Sequence, residues 1–287
     1  MDPLLMFQSI VTGFLLGGIL TVMTLGLDVI AGVLGLVNVA QGEFLMFAMY
    51  AAFFLDRLFN VPIFAMFGIV PLLYLFLSIP LYLGVYRIMV GKPASSQLIY
   101  TSSLSLALQN AALVLFLSDP RQLYNPYRAE AFDIGPIQLN KALLIAFILA
   151  AVTSIIVFYF LYRTERGSVI RAAINNRQLI SLLGIDPHRV YLQAFCLGIV
   201  LSAVGGVLLS IYYPVSPTVG ATYNLFMWVS LVLGGIGTIR GCLAGGLITG
   251  VLLNFSAVIL PVNFRNLIVL IIFMITIAVR PEGLFRK

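Results

Sequence analysis

Charged residues are scarce in this chain. Asp, Glu, Lys and Arg together make up 9% of its 287 residues, whereas hydrophobic residues make up 61%. A soluble globular protein carries about 25% charged residues, so this composition excludes a chain whose whole surface faces water. Segments 58–86, 142–162 and 190–215 carry no charge at all, and each is long enough to cross a bilayer as a helix. The sequence therefore predicts an all-α polytopic membrane protein.

Residues suited to metal binding or nucleophilic catalysis are also few. His188 is the only histidine, and the two cysteines, Cys196 and Cys242, lie in apolar segments. We expect them to be small buried residues, and they give no basis for a disulfide framework or a metal site. The phosphate-binding motif G-x-x-x-x-G-K-[ST] is absent. The chain is therefore expected to be no enzyme and to hydrolyse no ATP by itself.

What the sequence does contain is a series of apolar segments separated by short polar loops. At about 20 residues per span, we expect about 8–10 transmembrane or broken, re-entrant helices in one domain covering residues 1–287. The N-terminus lacks a basic start and a cleavage site, so it is read as a retained first span. The predicted spans are 5–24, 26–41, 42–56, 62–86, 96–117, 141–162, 190–212, 222–238, 241–260 and 264–279.

Some of these spans are too short for ordinary transmembrane helices. Residues 26–41 and 42–56 cannot each cross a membrane alone at 1.5 Å per residue, and short, Gly-interrupted segments are typical of broken helices along a substrate path. The stretches VLGLVNVAQG from Val33 and VLGGIGTIRG from Val232 are weakly similar, which is compatible with an inverted repeat or with chance. Glycines four residues apart, such as Gly13 and Gly17, predict close helix packing within the chain.

The distribution of basic residues predicts the orientation. With the N-terminus inside, eleven Lys and Arg residues fall in inner loops and five in outer loops, as the positive-inside rule requires. This arrangement predicts a multi-pass protein of a bacterial inner or plasma membrane with both termini cytoplasmic. It makes residues 118–140 an external loop and residues 164–189 a cytoplasmic loop.

Polar side chains inside the apolar segments are candidates for function. Asn38, Gln41 and Glu43 lie close together around Gly42, and an ionisable group in a membrane usually faces a cavity or a partner. Glu43 could either cap a helix after a break or line a pathway. Asp28 is interpreted as a helix cap at the outer interface.

A polar stripe lies in the predicted fifth span. Thr101, Ser105 and Gln109 are spaced four residues apart and therefore share one helix face. Such a stripe either forms hydrogen bonds with another helix or lines a translocation route.

The inner loop 164–189 is helix-compatible and amphipathic. It combines basic residues with an apolar face, and Gly184 provides a C-terminal stop. Such a segment either lies on the membrane surface or docks into a cytoplasmic partner.

Three stretches resemble the permease subunits of branched-chain amino acid ABC importers, and the chain is more similar to the LivH type than to the longer LivM type. They are GLDVIAGVLGLVNVAQGEF, ERGSVIRAAINNRQLISLLGIDPHRVYLQAFCLGIVLSAVGGVLL, and FMWVSLVLGGIGTIRGCLAGGLITG with the terminal RPEGLF. With the pattern of spans, the resemblance covers nearly the whole chain. It implies a type II ABC importer permease-like fold.

The resemblance also implies partners and roles. The importer would contain a second, related permease, two cytoplasmic ATPases that hold ATP and magnesium, and an external substrate-binding protein. Asn38, Gln41, Gly42, Glu43, Thr101, Ser105 and Gln109 would line the translocation pathway. ATPase coupling would involve Arg166, Arg171, Ala172, Ala173, Asn175, Arg177, Leu182 and Gly184. The family often has His where this chain has Gln41, which removes a titratable group.

Two alternatives remain at this stage. Proteins of the same architecture carry urea, short amides or aromatic compounds, so the substrate is open. A stand-alone secondary carrier would instead need a coupling-ion site, built on Glu43 or Asp28.

Overall fold

The structure is a computed structural model that describes residues 3–135, 137–176, 180, 184–261, 264, 266–280 and 283–285. Its helices within these ranges are α1 (Pro3–Leu34), α2 (Gln41–Phe59), α3 (Ile63–Leu81), α4 (Ala94–Phe116), α5 (Lys141–Arg163), α6 (Glu165–Asn175), α7 (Pro187–Ser210), α8 (Val219–Gly234), α9 (Ile239–Ile259) and α10 (Leu267–Val279). Strands β1 (Ala131–Ile134) and β2 (Ile137–Asn140) form a small antiparallel hairpin between α4 and α5. The hairpin is a feature that the sequence analysis missed.

The helical, membrane-spanning class is confirmed. Among the described residues, six helices are long and apolar enough to cross a membrane, counting α3 with the helical turns that extend it to Met89. Helices α8 and α10 are apolar but shorter. The predicted short segments 222–238 and 264–279 therefore correspond to real short helices.

Helix α1 forms the centre of the bundle and packs along α9 and α7. The contact with α9 depends on glycine: a Cβ atom added to Gly13 would lie 2.7 Å from the Cα of Val251, and one on Gly17 would lie 2.7 Å from the Cα of Leu247. Small residues let helix backbones approach this closely in a membrane. The prediction of glycine-mediated packing within the chain is confirmed.

The predicted division of the first two spans is wrong. Helix α1 continues from Pro3 through Gly26 to Leu34, and the break falls at residues 35–40. Asp28 is fully buried inside the helix, and its Oδ1 accepts a hydrogen bond of 2.6 Å from the backbone N–H of Gly237. The interpretation of Asp28 as an interfacial helix cap is therefore also wrong.

The continuous α1 places the two termini at opposite ends of the bundle. The Gln8 side chain donates a hydrogen bond to the carbonyl of Gln138 in the hairpin, whereas the backbone N–H of Leu284 bonds to Leu233 at the other end. We call these the hairpin end and the α6 end. The sequence predicts both termini on the cytoplasmic side, whereas the structure has them at opposite ends of the bundle, because one helix replaces two predicted spans.

The sides predicted for the later loops are unaffected by this correction. The first basic residue is Arg57, so moving the N-terminus leaves the counts of inner and outer basic residues unchanged. Loop 118–140 lies at the hairpin end, where Arg121 pairs with Val215 through two backbone hydrogen bonds. Helix α6 lies at the opposite end, where Ile174 packs near Gly32 and Gly237.

Candidate translocation site and coupling helix

The break between α1 and α2 satisfies its own polar groups. Gly35 adopts a left-handed conformation with a φ of 58°, which ends α1. Asn38 Oδ1 then accepts hydrogen bonds from the backbone N–H of Ala40 at 3.2 Å and from the Tyr86 hydroxyl at 3.0 Å. Because unpaired backbone groups are very costly in a membrane, a break of this kind needs such partners.

Gln41 fixes the start of α2 to the middle of α7. Its side chain is fully buried, accepts a hydrogen bond of 2.7 Å from Asn38 Nδ2, and donates to the carbonyl of Gly198 at 3.1 Å and to the hydroxyl of Ser202. All of these bonds lie within the protein. Asn38 and Gln41 are thus engaged in holding the break together.

Glu43 differs from them because half of its carboxyl group is unused. It lies in the first turn of α2 and is fully buried. Oε1 accepts a hydrogen bond of 3.0 Å from the Ser105 hydroxyl, but Oε2 has no hydrogen-bond partner in the described protein. A buried acceptor left without a donor costs about 1–3 kcal/mol, so this atom is suited to receive a donor from outside the chain.

The unused oxygen of Glu43 lies against the first turn of α8. A Cβ atom on Gly220 would lie 2.5 Å from Glu43 Oε2, and one on Gly42 would lie 2.7 Å from the Cβ of Asn224. The side-chain oxygen of Asn224, one turn beyond Gly220, is likewise buried without a donor among the described residues. Gly42 and Gly220 thus allow two helix starts to meet and bring two unsatisfied acceptors into one contact.

Helix α4 binds the break through its polar stripe. The Thr101 hydroxyl donates to the carbonyl of Val37 at 2.9 Å and accepts from the backbone N–H of Val39 at 3.3 Å. Gln97 Oε1 accepts a hydrogen bond of 3.0 Å from the N–H of Val37. The sequence analysis missed Gln97, although it stands four residues before Thr101 on the same helix face.

Gln109 does not join this cluster. It is half-buried at the far end of the stripe and makes no hydrogen bond to the described residues. Most of α4 is exposed, including the polar residues Ser102, Ser103 and Asn110. The structure therefore brings six of the seven predicted pathway residues together around the break and leaves Gln109 aside.

Helix α6 is a short helix docked across the end of the bundle. The Thr164 hydroxyl accepts from the N–H of Gly167 at 3.0 Å and caps its start. Ile170 is buried, and the helix packs against α1, α5 and α7. An apolar face directed at the bundle and a polar face directed away fit the amphipathic pattern that the sequence showed.

The predicted coupling residues are divided between these two faces. Ala173 is buried, Ala172 is half-buried, and Arg166 and Asn175 are exposed. Arg171 packs over the ring of Tyr162 at 4.7 Å. Arg177 and Leu182 lie outside the described residues.

Gly184 is exposed and adopts a left-handed conformation. Its φ is 73°, and the N–H of the next residue, Ile185, bonds to the carbonyl of Ile180 at 3.2 Å. This left-handed glycine with its backbone hydrogen bond has the geometry of a helix C-terminal stop, but α6 itself already ends at Asn175.

A bundle of apolar spanning helices with a broken helix inside it defines a multi-pass membrane protein. Residues 9–279 match the model of the family described as branched-chain amino acid transport system / permease component. The chain belongs to this family.

Several known proteins are similar to this chain over nearly its full length. The high-affinity branched-chain amino acid transport system permease protein BraD of Pseudomonas aeruginosa is 27% identical, covering 98% of this chain and 95% of its own. The corresponding LivH of Salmonella typhimurium is 25% identical with the same coverage. The probable LivH of Methanocaldococcus jannaschii is 23% identical over 93% of this chain and 88% of its own. No solved structure matches the chain.

Proposed function

We propose that this chain is the permease subunit of an ATP-driven importer for branched-chain or other hydrophobic amino acids. The observation that carries the proposal is the similarity to branched-chain amino acid permeases along 98% of the chain. In this proposal the chain forms half of the translocation pathway. Its partners supply substrate capture, ATP and magnesium.

The proposed route passes the contact between the starts of α2 and α8. Glu43 Oε2 and the side-chain oxygen of Asn224 are two buried acceptors without donors in the described protein. An amino acid carries an ammonium group with three donors, and a buried pair of acceptors complements it. We assign substrate contact to Glu43 and Ser105, while Asn38, Gln41 and Thr101 keep the break in shape.

Helix α6 is the proposed coupling element. Arg166 and Asn175 are exposed on it, while Ile170 and Ile174 connect it to the bundle. An ATPase that seats on the exposed face would move α6, and α6 would move the ends of α1 and α9 through Gly32 and Gly237. This arrangement makes the α6 end cytoplasmic in a bacterial inner or plasma membrane.

The remaining surfaces suit the other proposed partners. Helix α4 is mostly exposed, although it carries polar residues that are unfavourable against lipid. A second permease, related but not identical, would cover this face. The external substrate-binding protein would dock at the hairpin end, where loop 118–140 is anchored by Arg121 to Val215.

The test is reconstitution of the purified importer in liposomes. The chain would be pulled down in mild detergent, its partners identified by mass spectrometry, and uptake of labelled leucine measured with and without ATP. Co-purified ATPases and ATP-dependent uptake are the expected results. Urea, short amides and aromatic compounds would be compared as competing substrates.

Failure to find ATPases or ATP-dependent uptake would favour a stand-alone secondary carrier. Uptake by a homo-oligomer without ATPases, driven by an ion gradient, would identify a secondary carrier. In that case Glu43 would become the ion site, because its free oxygen could hold a coupling cation.

A further inference from the structure

A cavity at the α6 end gathers positive charge that nothing in the translocation route uses. It measures about 510 Å³ and lies between α5, α6 and α9. Arg171 and Arg240 both face the ring of Tyr162, with guanidinium carbons 4.7 Å and 5.8 Å from its centroid. Cation–π contacts of this kind orient the two groups, but they do not neutralise either charge.

These arginines lack an anionic partner in the described protein. The ion pairs there join Lys141 to Glu130 and Arg189 to Asp186, and neither includes the two arginines. Arg171 Nη1 is buried and has no acceptor among the described residues. Two like charges beside one ring repel each other, so an anion between them would remove both the repulsion and the unsatisfied donor.

The start of α9 adds to the positive potential. The helix begins at Ile239 with no side-chain cap, and its first residues, Ile239, Arg240 and Gly241, line the same cavity. A helix start carries about half a positive charge. Phosphate groups are the anions that combine best with arginine forks and helix N-termini.

An apolar groove leads away from this cavity along the membrane face of the bundle. It begins at Tyr162 and Arg240 as a space of about 520 Å³ and passes Phe158 and Ile155 on α5. A further space of about 220 Å³ continues it past Ala151 and Phe147 to Gly18 on α1.

The length of the groove matches a lipid tail. From residue 162 to residue 147, α5 rises about 22 Å, which is more than half of the roughly 30 Å hydrocarbon core. Ile155 and Tyr159 on its rim are 67% and 66% exposed, so the groove opens toward the bilayer.

We propose that this composite site binds an anionic phospholipid. The phosphate lies between Arg171, Arg240 and the start of α9, and one acyl chain lies in the groove between α5 and α9. A docking protein segment would reach the arginines from the α6 end but would have no reason to enter a groove that opens toward lipid. Because Arg171 belongs to α6 and Arg240 to α9, the lipid would link the proposed coupling helix to the bundle.

The experiment measures lipid selectivity of the intact importer. The complex would be purified in mild detergent, incubated with phosphatidylglycerol or phosphatidylcholine, and the retained lipid quantified by native mass spectrometry. The charge variants are Arg171→Gln, Arg240→Gln and their combination. Arg87→Gln is the matched control, because Arg87 is an exposed arginine outside the cavity and the groove.

We expect the preference for phosphatidylglycerol to fall about fivefold for each arginine removed and to stay unchanged in Arg87→Gln. Two groove variants, Ala151→Leu and Ile155→Ser, keep both arginines and should also lower retention. Ile155→Ser changes an exposed side chain, so it tests the groove even if Ala151→Leu fails to fold.

Three results would overturn the proposal. Unchanged lipid selectivity in the double arginine variant would show that the two arginines do not bind the lipid headgroup. Stabilisation of the importer against unfolding by inorganic phosphate, together with unchanged lipid retention in the groove variants, would identify a site for a free anion. Loss of ATPase capture with normal lipid retention would show that the arginines contact a protein.

Discussion

The two helix breaks of this protein are similar in sequence but are held in different ways. The break at residues 35–40 is held by side chains: Asn38, Gln41 and Thr101 all bond across it. The break between α8 and α9 contains two left-handed glycines, Gly235 and Gly237, at φ values of 93° and 80°. Its one long-range side-chain partner in the described structure is Asp28.

This difference matches what surrounds each break. The first lies beside the buried Glu43 and its unused oxygen, where a rigid frame of hydrogen bonds keeps a site in one shape. The second lies beside α6, where Ile174 approaches Gly237. A linker with two left-handed glycines, whose one long-range side-chain hydrogen bond in the described structure goes to Asp28, can change conformation at low cost. This suits a segment that transmits movement.

The largest effect is expected at the first break, from Glu43→Ala. The change removes the buried acceptor but none of the bonds that hold residues 35–40. Hydrogen bonds to charged groups contribute about 1.5–3 kcal/mol, so uptake by reconstituted importer should fall at least about tenfold. Uptake would be measured at matched amounts of assembled complex.

The control for this prediction is Arg87→Ala. Arg87 is an exposed charged residue outside the site and outside the proposed docking surfaces, so uptake should stay near normal. Normal uptake by Glu43→Ala would contradict a role in the pathway. Loss of complex assembly in Glu43→Ala would show instead that Glu43 only supports the fold.

Sequence reasoning located the first break because three polar residues stood in apolar surroundings. It also predicted a break between residues 24 and 26 and interpreted Asp28 as an interfacial cap. The actual partner of the Asp28 carboxyl group is Gly237, 209 positions away, and no local pattern reveals such a contact. Gln97 could have been found by extending the stripe one turn backward from Thr101. The pairing of Arg171 with Arg240 over Tyr162 joins three separate elements and leaves no sequence signal.

The second break should be sensitive to its single long-range partner. Asp28→Ala leaves the half-buried N–H of Gly237 without its acceptor, which costs about 1 kcal/mol. Asp28→Asn keeps an oxygen in the same place and should retain most of the stability. Thermal unfolding of the complex in detergent would rank the variants.

A further measurement on the same variants separates stability from coupling. If the α8–α9 linker transmits movement, Asp28→Ala should hydrolyse ATP in the complex with less uptake per ATP than Asp28→Asn. Equal stability and equal uptake per ATP in both variants would show that the bond from Gly237 to Asp28 does not control the linker.

The smallest effect is expected from Thr101→Val, which removes one of several side chains that hold the first break. Thr101 bonds to both Val37 and Val39, but Gln97 still bonds to Val37 and Asn38 to Ala40. We expect a loss of about 1 kcal/mol with uptake largely retained. Thr276→Val is the matched control, because that buried hydroxyl bonds only within α10, to Ile272. If Thr101→Val lost as much uptake as Glu43→Ala, the hydrogen bonds that hold residues 35–40 could not be separated from the site at Glu43. The contrast between the two breaks would then rest on Asp28 alone.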